Sequence, residues 1–383
     1  MSDAPHLSTL NPFKARTSRL DQPDPTHAAM REAGPVVRLD GPGGSPVWIV
    51  TAEQPAREIL TDPRFTKNPS HAPANWNHEA APLEQTAEAQ PSLTTLDGEP
   101  HAALRRAHAP LFSAKRIRAQ SERVHHLART LLAEVDDGAP VDLMAGFTTR
   151  FPLTVLIDLL GLPMDLVPAA GAACLRMLSD IPGQQADAIG TLAGLAASGL
   201  DRGGDGIAAR LRDRLGPDTP PRDLHYHLFS LIFAGQLTTD AALGFVIAEW
   251  LTSSEPSTRS IPELVDHVLR QHPPAPFTLW RFTTTPVSVA GIDLPAGAAV
   301  LIDIRGIGTD PGHTGGTDLV FGAGPHYCIG AQLARLELTA VLTVLRDDFP
   351  RARLAVPAAH LQCSTVGGIM GDRLVQMPVL LRP

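Results

Sequence analysis

Cysteine is scarce in this sequence: Cys174, Cys328 and Cys363 are the only three in 383 residues. They are too few and too scattered for a disulfide framework or a CxxC zinc site, which points to a reducing compartment. Lysines are few, aromatic residues make up 5% of the chain, and the formal charge of −8 comes from acidic and basic residues mixed along it without a basic tract. Nucleic acid and anionic membrane are therefore disfavoured as partners. The opening stretch MSDAPHLSTLNPF is polar, and no window reads as the roughly 18 apolar residues of a membrane span. The chain is expected to be cytoplasmic, neither exported nor anchored. Phosphate-binding loops are lacking too, because Gly203-Gly204 and the Gly312–Gly316 turn have no GxxxxGK[ST] or GxGxxG context. The histidine pairs His225/His227 and His125/His126 have no carboxylate at a metal-motif spacing and are read as exposed or capping side chains.

Hydrophobic side chains form 43% of the sequence, enough to bury a large core. Helical periodicity is clearest at 100–113, 115–135, 152–161, 224–252, 261–271 and 329–347. Val287–Ala290 and Ala298–Ile304 read as two strands joined by a turn, and a β-rich stretch runs from Leu374 to Leu381. The Pro-, Ala- and Asn-rich segment from Lys67 to Thr95 lacks periodicity and reads as a long surface or lid loop. With no repeat or interdomain linker, the expectation is one mainly α domain with small β-sheets over residues 1–383.

One segment carries chemistry. Phe321-Gly-Ala-Gly-Pro-His-Tyr-Cys-Ile-Gly-Ala-Gln-Leu-Ala-Arg-Leu-Glu is a glycine-rich turn that presents Cys328 just before an amphipathic helix. Backbone N–H groups at that helix start, and the positive end of its dipole, favour an anionic sulfur. Gly322, Gly324 and Gly330 permit conformations and approaches that a Cβ would block. A single cysteine can ligate haem iron, whereas zinc needs further Cys or His ligands, and none lies nearby at finger spacing. A buried structural cysteine in a turn is the alternative for the loop taken alone.

The segment matches the FGxGxHxCxG signature of the cytochrome P450 family, and the resemblance extends from Pro46-Val-Trp-Ile-Val-Thr to Met377-Pro-Val. It implies the cytochrome P450 fold around a buried haem b, with Cys328 as the proximal thiolate and metal ligand. His326 then resembles a haem-propionate partner, Phe321 the aromatic residue near the sulfur, and Gly330 part of the cofactor loop. His101 and Arg105, one helical turn apart, resemble the propionate-binding pair of the family's C-helix, and Arg281 another propionate arginine. Leu231-Ile-Phe-Ala-Gly-Gln-Leu-Thr-Thr-Asp resembles the central helix crossing the distal face. There Ala234 and Gly235 would leave room for dioxygen or substrate, and Thr238 would offer a hydroxyl. A helix-interior glycine costs about 1 kcal/mol against alanine, and close helix packing is another reason for it. By the family's topology Phe233, Phe277, Thr278, Leu279 and Gly368, with the lid loop, would surround the substrate.

Three positions depart from the family. The residue before Thr238 is Leu237 where an acid is usual; the Glu-x-x-Arg pattern is replaced by His267-Val-Leu-Arg270; and the stretch from Asp310 to Phe321 is short and lacks the meander arginine. Asp266 lies four residues before Arg270 and is expected to pair with it. Asp240 need not replace the missing acid. The resemblance implies oxidation of a small, largely apolar molecule in secondary metabolism, with dioxygen and electrons from ferredoxin and its reductase. Leu237 motivates an alternative of redox-neutral haem chemistry, such as rearrangement, dehydration or nitrene-like transfer. The altered Glu-x-x-Arg motivates a third, a non-catalytic helper of a partner enzyme.

Overall fold

The computed structural model describes residues 3–22, 24–41, 45–76, 91–177, 183–202, 204–252, 259–312, 319–365 and 370–382. Thirteen helices can be followed through them: α1 (Thr26–Ala33), α2 (Glu53–Ile59), α3 (Gly98–His108), α4 (Ala114–Arg118), α5 (Ser121–Val135), α6 (Arg150–Leu160), α7 (Val167–Met177), α8 (Gln184–Arg202), α9 (Ile207–Leu215), α10 (Pro221–Thr252), α11 (Ile261–Gln271), α12 (Ile304–Gly308) and α13 (Ala331–Asp348). The long helix α10 is apolar almost all round, the pattern of a helix enclosed by others. Its most apolar 18-residue window, of mean hydropathy 1.6, is long and apolar enough to cross a membrane, contrary to the sequence reading, and is 72% buried inside the protein. Helices α6, α7, α8, α11 and α13 pack against it.

Helix α11 shows how local sequence sets an element. Ser260 and Glu263 close a reciprocal capping box at its start, satisfying donors that helix ends otherwise leave open. Leu264, Val265, Val268 and Leu269 then bury one face, which packs against α10 and α13. Helix α13 carries its own apolar stripe, from Leu333 to Leu345, into the same core.

The strands are short and peripheral. Named along the chain, they are β1 (Arg16–Arg19), β2 (Val36–Asp40), β3 (Pro46–Val50), β4 (Phe65–Thr66), β5 (Val141–Asp142), β6 (Arg281–Thr283), β7 (Val287–Val289), β8 (Ile292–Leu294), β9 (Ala299–Ile302), β10 (Arg353–Leu354), β11 (Gln362–Thr365), β12 (Arg373–Leu374) and β13 (Pro378–Leu380). The largest sheet has the order β2-β3-β9-β6-β4, with β3 and β9 parallel. The expected pairing of Val287–Ala290 with Ala298–Ile304 is not what forms. Ala290 at φ 49° and Gly291 at φ 80° make a tight turn, so β7 pairs with β8 inside the stretch taken for a connection. That frees β9 to join β3 and β6. The result is a mainly α fold with small sheets.

Candidate functional site

The loop before α13 is closed by a hydrogen bond from the Cys328 N–H to the Phe321 carbonyl at 2.9 Å. Its glycines are required where they stand. Gly322 and Gly324 have φ of +72° and +66°, and a Cβ on Gly324 would lie 2.8 Å from the Leu60 carbonyl oxygen. Cys328 is exposed, but to an internal cavity of about 330 Å³ rather than to the outside. Burial pushes its thiol pKa up, while the backbone N–H groups of Gly330 and Ala331 and the Arg105 guanidinium act against that. Those are the groups that would hold a thiolate if a metal took the proton's place.

The facing wall is α10. Ala234, Gly235, Thr238 and Thr239 line the same cavity as Cys328, Gly330 and Phe321. The Thr238 hydroxyl donates back to the Ala234 carbonyl at 2.7 Å. Gly235 has a second reason to be glycine: a Cβ there would come within 2.9 Å of Leu156 on α6. A second cavity of about 370 Å³ adjoins the first, sharing Ala234, Thr238, Phe321 and His326. Phe233, Phe277, Thr278 and Leu279 line it, as does Arg281. Gly368 and part of the lid loop lie outside the described residues.

At the rim, α3 delivers Arg105 to the cavity, where its guanidinium donates to the Tyr327 carbonyl. His101 is buried and its Nε2 has no hydrogen-bond partner among the described residues. Burial, and then the neighbouring His326 and Arg105, push its pKa down to about 4, so the ring is neutral at pH 7. The His326 ring lies over it with centroids 4.1 Å apart. His326 itself is engaged, with Nδ1 3.2 Å from the Leu93 carbonyl and Nε2 3.1 Å from Asp97 Oδ1. Both neighbours are acceptors, so the neutral ring, which burial favours, donates to only one of them. Asp97 is itself anchored by the Thr66 hydroxyl and the Lys67 N–H, at 2.7 and 2.6 Å. Its pKa lies well below the usual carboxylate range because the hydrogen bonds from His326, then Lys67 and Thr66, overcome the opposing cost of burial.

Several lining residues were not singled out in the sequence. Glu337 on α13 is fully buried, its Oε1 has no hydrogen-bond partner among the described residues, and the Thr239 hydroxyl reaches Oε2 only at 3.5 Å. Burial raises its pKa well above the glutamate range. It is the only carboxylic acid among the described residues lining either cavity. His227, read above as exposed or capping, is instead buried and lines the first cavity, set edge-on against His108 at 5.2 Å. Tyr226 and Phe229 extend the aromatic wall begun by Phe233, with the Phe229 and Phe233 rings stacked at 5.7 Å. The i, i+3 and i+4 spacing of 226, 229, 230 and 233 was the available signal.

Two of the departures also resolve, while most of the short stretch between Asp310 and Phe321 lies outside the described residues. Leu237 is buried and lines the second cavity. Asp240 lines neither; it is 1% exposed and bound by Arg373 at 3.1 Å and the Thr149 hydroxyl at 3.0 Å. The expected Asp266–Arg270 pair is replaced by Asp266–Arg335, at 2.9 Å. A step of one residue turns a side chain about 100° round a helix, so a carboxylate at 266 rather than 267 points to α13.

A lone thiol on one wall, small residues on the other, apolar surface between and the cavity-lining Arg105 and Arg281 fit a flat apolar ring that carries a metal and acidic groups, although the orphaned His101 nitrogen is buried and lines neither cavity. Those features define a haem-thiolate protein. Among curated relatives, the cytochrome P-450 monooxygenase DoxA of Streptomyces sp. (strain C5) is 36% identical over 99% of both chains. The cytochrome P450 monooxygenase PikC of Streptomyces venezuelae is 30% identical over 88% of this chain and 86% of its own. Among solved structures, CYP154C4 from Streptomyces sp. W2061 superposes with a TM-score of 0.82 at 26% identity, covering 100% of this chain and 98% of its own. No family model matches the sequence. The chain belongs to the cytochrome P450 family. It is accordingly an oxidoreductase of the haem-dependent kind.

Proposed function

We propose that this protein is a monooxygenase of secondary metabolism that oxidises a small, largely apolar and aromatic molecule, with electrons from ferredoxin and its reductase. The observation that carries the reading is Cys328 facing Thr238 across a cavity that opens onto an aromatic-lined one. Haem b held by Cys328 would supply dioxygen activation. Arg105, Arg281 and the orphaned His101 Nε2 would receive its carboxylates, with Asp97 steering His326. Phe233, Phe277, Thr278 and Leu279 would bound the substrate, and Tyr226 and Phe229 offer ring faces for stacking. Ala234 and Gly235 keep space open beside Thr238. Leu237 gives no proton there, so Glu337, neutral by burial and lining the same cavity, holds the available proton at its carboxyl.

The test is the absorption spectrum of purified protein, ferric and then reduced under carbon monoxide, followed by oxygen and NAD(P)H consumption with ferredoxin. A red-shifted thiolate Soret band with substrate-dependent, coupled consumption is expected. A second reading rests on Leu237: with no acid beside Thr238, redox-neutral chemistry on an already activated substrate is favoured. Turnover without reductant would select it, and an absolute need for reductant and dioxygen would remove it.

A further inference from the structure

The Cys328 loop is short, rich in glycine and closed on itself by two backbone hydrogen bonds, Cys328 N–H to Phe321 and Tyr327 N–H to Gly324, and side chains outside it help fix where the sulfur points. Inside the protein, Arg105 reaches one point of it, the Tyr327 carbonyl. On the other side lies a second arginine. Arg335 stands in the first turns of α13, and its guanidinium lies over the Phe321 ring with Cζ 4.5 Å from the centroid. The Tyr327 phenol lies near enough to act on the same group electrostatically, and its Nε donates to Asp266 Oδ1 at 2.9 Å. One guanidinium therefore acts on both ends of the loop: the aromatic residue whose carbonyl receives the Cys328 N–H, and the residue that immediately precedes the cysteine.

We propose that Arg335, aimed by Asp266, is a positioning residue for Cys328 that clamps Phe321 and Tyr327 and so sets the direction and hydrogen bonding of the sulfur. The inference rests on the reading of Cys328 as the haem ligand. Asp266 comes from α11, whose start is locked by the capping box and whose apolar face is buried, so the carboxylate is held by a rigid element. This chain has histidine at 267 where a carboxylate is usual, and the acid one position earlier serves a different arginine on a different helix. The Asp266 and Arg335 side chains are 39% and 32% exposed, and ion pairs so open to solvent add little to stability. What the pair offers is geometry. A planar guanidinium can stack on a ring while its N–H groups bond in plane to a carboxylate; an ammonium cannot do both.

The test compares wild type with Arg335→Gln, Arg335→Lys and Asp266→Asn, and with Arg346→Gln as a control on the exposed far end of α13. Three quantities are read on haem-loaded protein: the ferric/ferrous midpoint potential, the fraction of reduced carbonyl complex in the blue-shifted form that has lost thiolate ligation, and the thermal unfolding midpoint. The expected result is a several-fold larger blue-shifted fraction and a shifted potential in all three test variants, lysine giving no rescue, with unfolding midpoints close to wild type and the control silent. If an arginine variant folds poorly, Asp266→Asn, the removal of one half-exposed charge, carries the test. Potentials and carbonyl spectra indistinguishable from wild type would overturn the clamp. A wild-type protein without the thiolate band would instead overturn the reading of Cys328 on which it rests.

Discussion

Replacing Glu337 by glutamine should stabilise the protein at neutral pH, and by an amount that grows with pH. The carboxyl is fully buried, with one oxygen lacking a hydrogen-bond partner among the described residues and the other facing a hydroxyl at 3.5 Å. Burial holds its pKa well above the ordinary 4.5, so the folded protein keeps a proton that the unfolded chain releases. Stability from such a group is fully present below the unfolded pKa and declines as pH rises toward the folded one. The slope is about 1.4 kcal/mol per pH unit, because unfolding releases one proton across that window. Glutamine has the same shape, cannot ionise and adds no slope. Denaturant unfolding of wild type and Glu337→Gln from pH 4 to 8 should give two curves that run together at the acidic end and separate above about pH 4.5, the variant becoming progressively more stable. Parallel curves across the range would mean that Glu337 is ionised in the folded protein, and would also remove it as a holder of the proton that Leu237 cannot supply.

Further outcomes follow from named contacts. Cys328→Ala should abolish the thiolate-type carbonyl band and turnover while circular dichroism stays close to wild type; full turnover would refute the assignment. Arg373→Met leaves Asp240 buried without its charged partner and should cost roughly 3 kcal/mol or more, seen as a lower denaturant midpoint. Gly324→Ala demands a positive φ and a Cβ 2.8 Å from a backbone oxygen; it should lower haem occupancy and cost of order 1–3 kcal/mol, measured by haem content and thermal unfolding. His101→Ala removes the orphaned imidazole and should weaken haem retention, checked by transfer of haem to an apoprotein acceptor.

The long helices were legible because their period is repeated over many residues: the expected helix at 224–252 and the observed Pro221–Thr252 differ only at the start. Helices α7 and α8 were not read out, since alanine and glycine blur the contrast between faces on which periodicity depends, and α9 was passed over because it is only nine residues long. The β7–β8 hairpin was missed because its turn uses Ala290 in a left-handed conformation, which sequence disfavours. Of the site, the residues clustered in one motif were visible, whereas Glu337 was quoted within it without a role. Only the fold shows that its carboxyl is buried beside α10, with one oxygen unpartnered among the described residues. Asp266 was seen as an acid in need of a cation, but i,i+4 logic names partners on the same helix and is blind to a neighbouring one.

The sheets tie together parts of the chain that are far apart in sequence. Strand β1 pairs with β11, Arg16 opposite Thr365, and β3 pairs with β9, Val47 opposite Ala299. Such closures must wait until almost the whole polypeptide exists, and they are slow because the loops they close are long. The helical core is no more local, since α13 packs on α5 from far earlier in the chain. The second cavity draws on Lys67, Arg281 and Met370 together, so the substrate's side of the protein is complete only when distant parts of the chain have met.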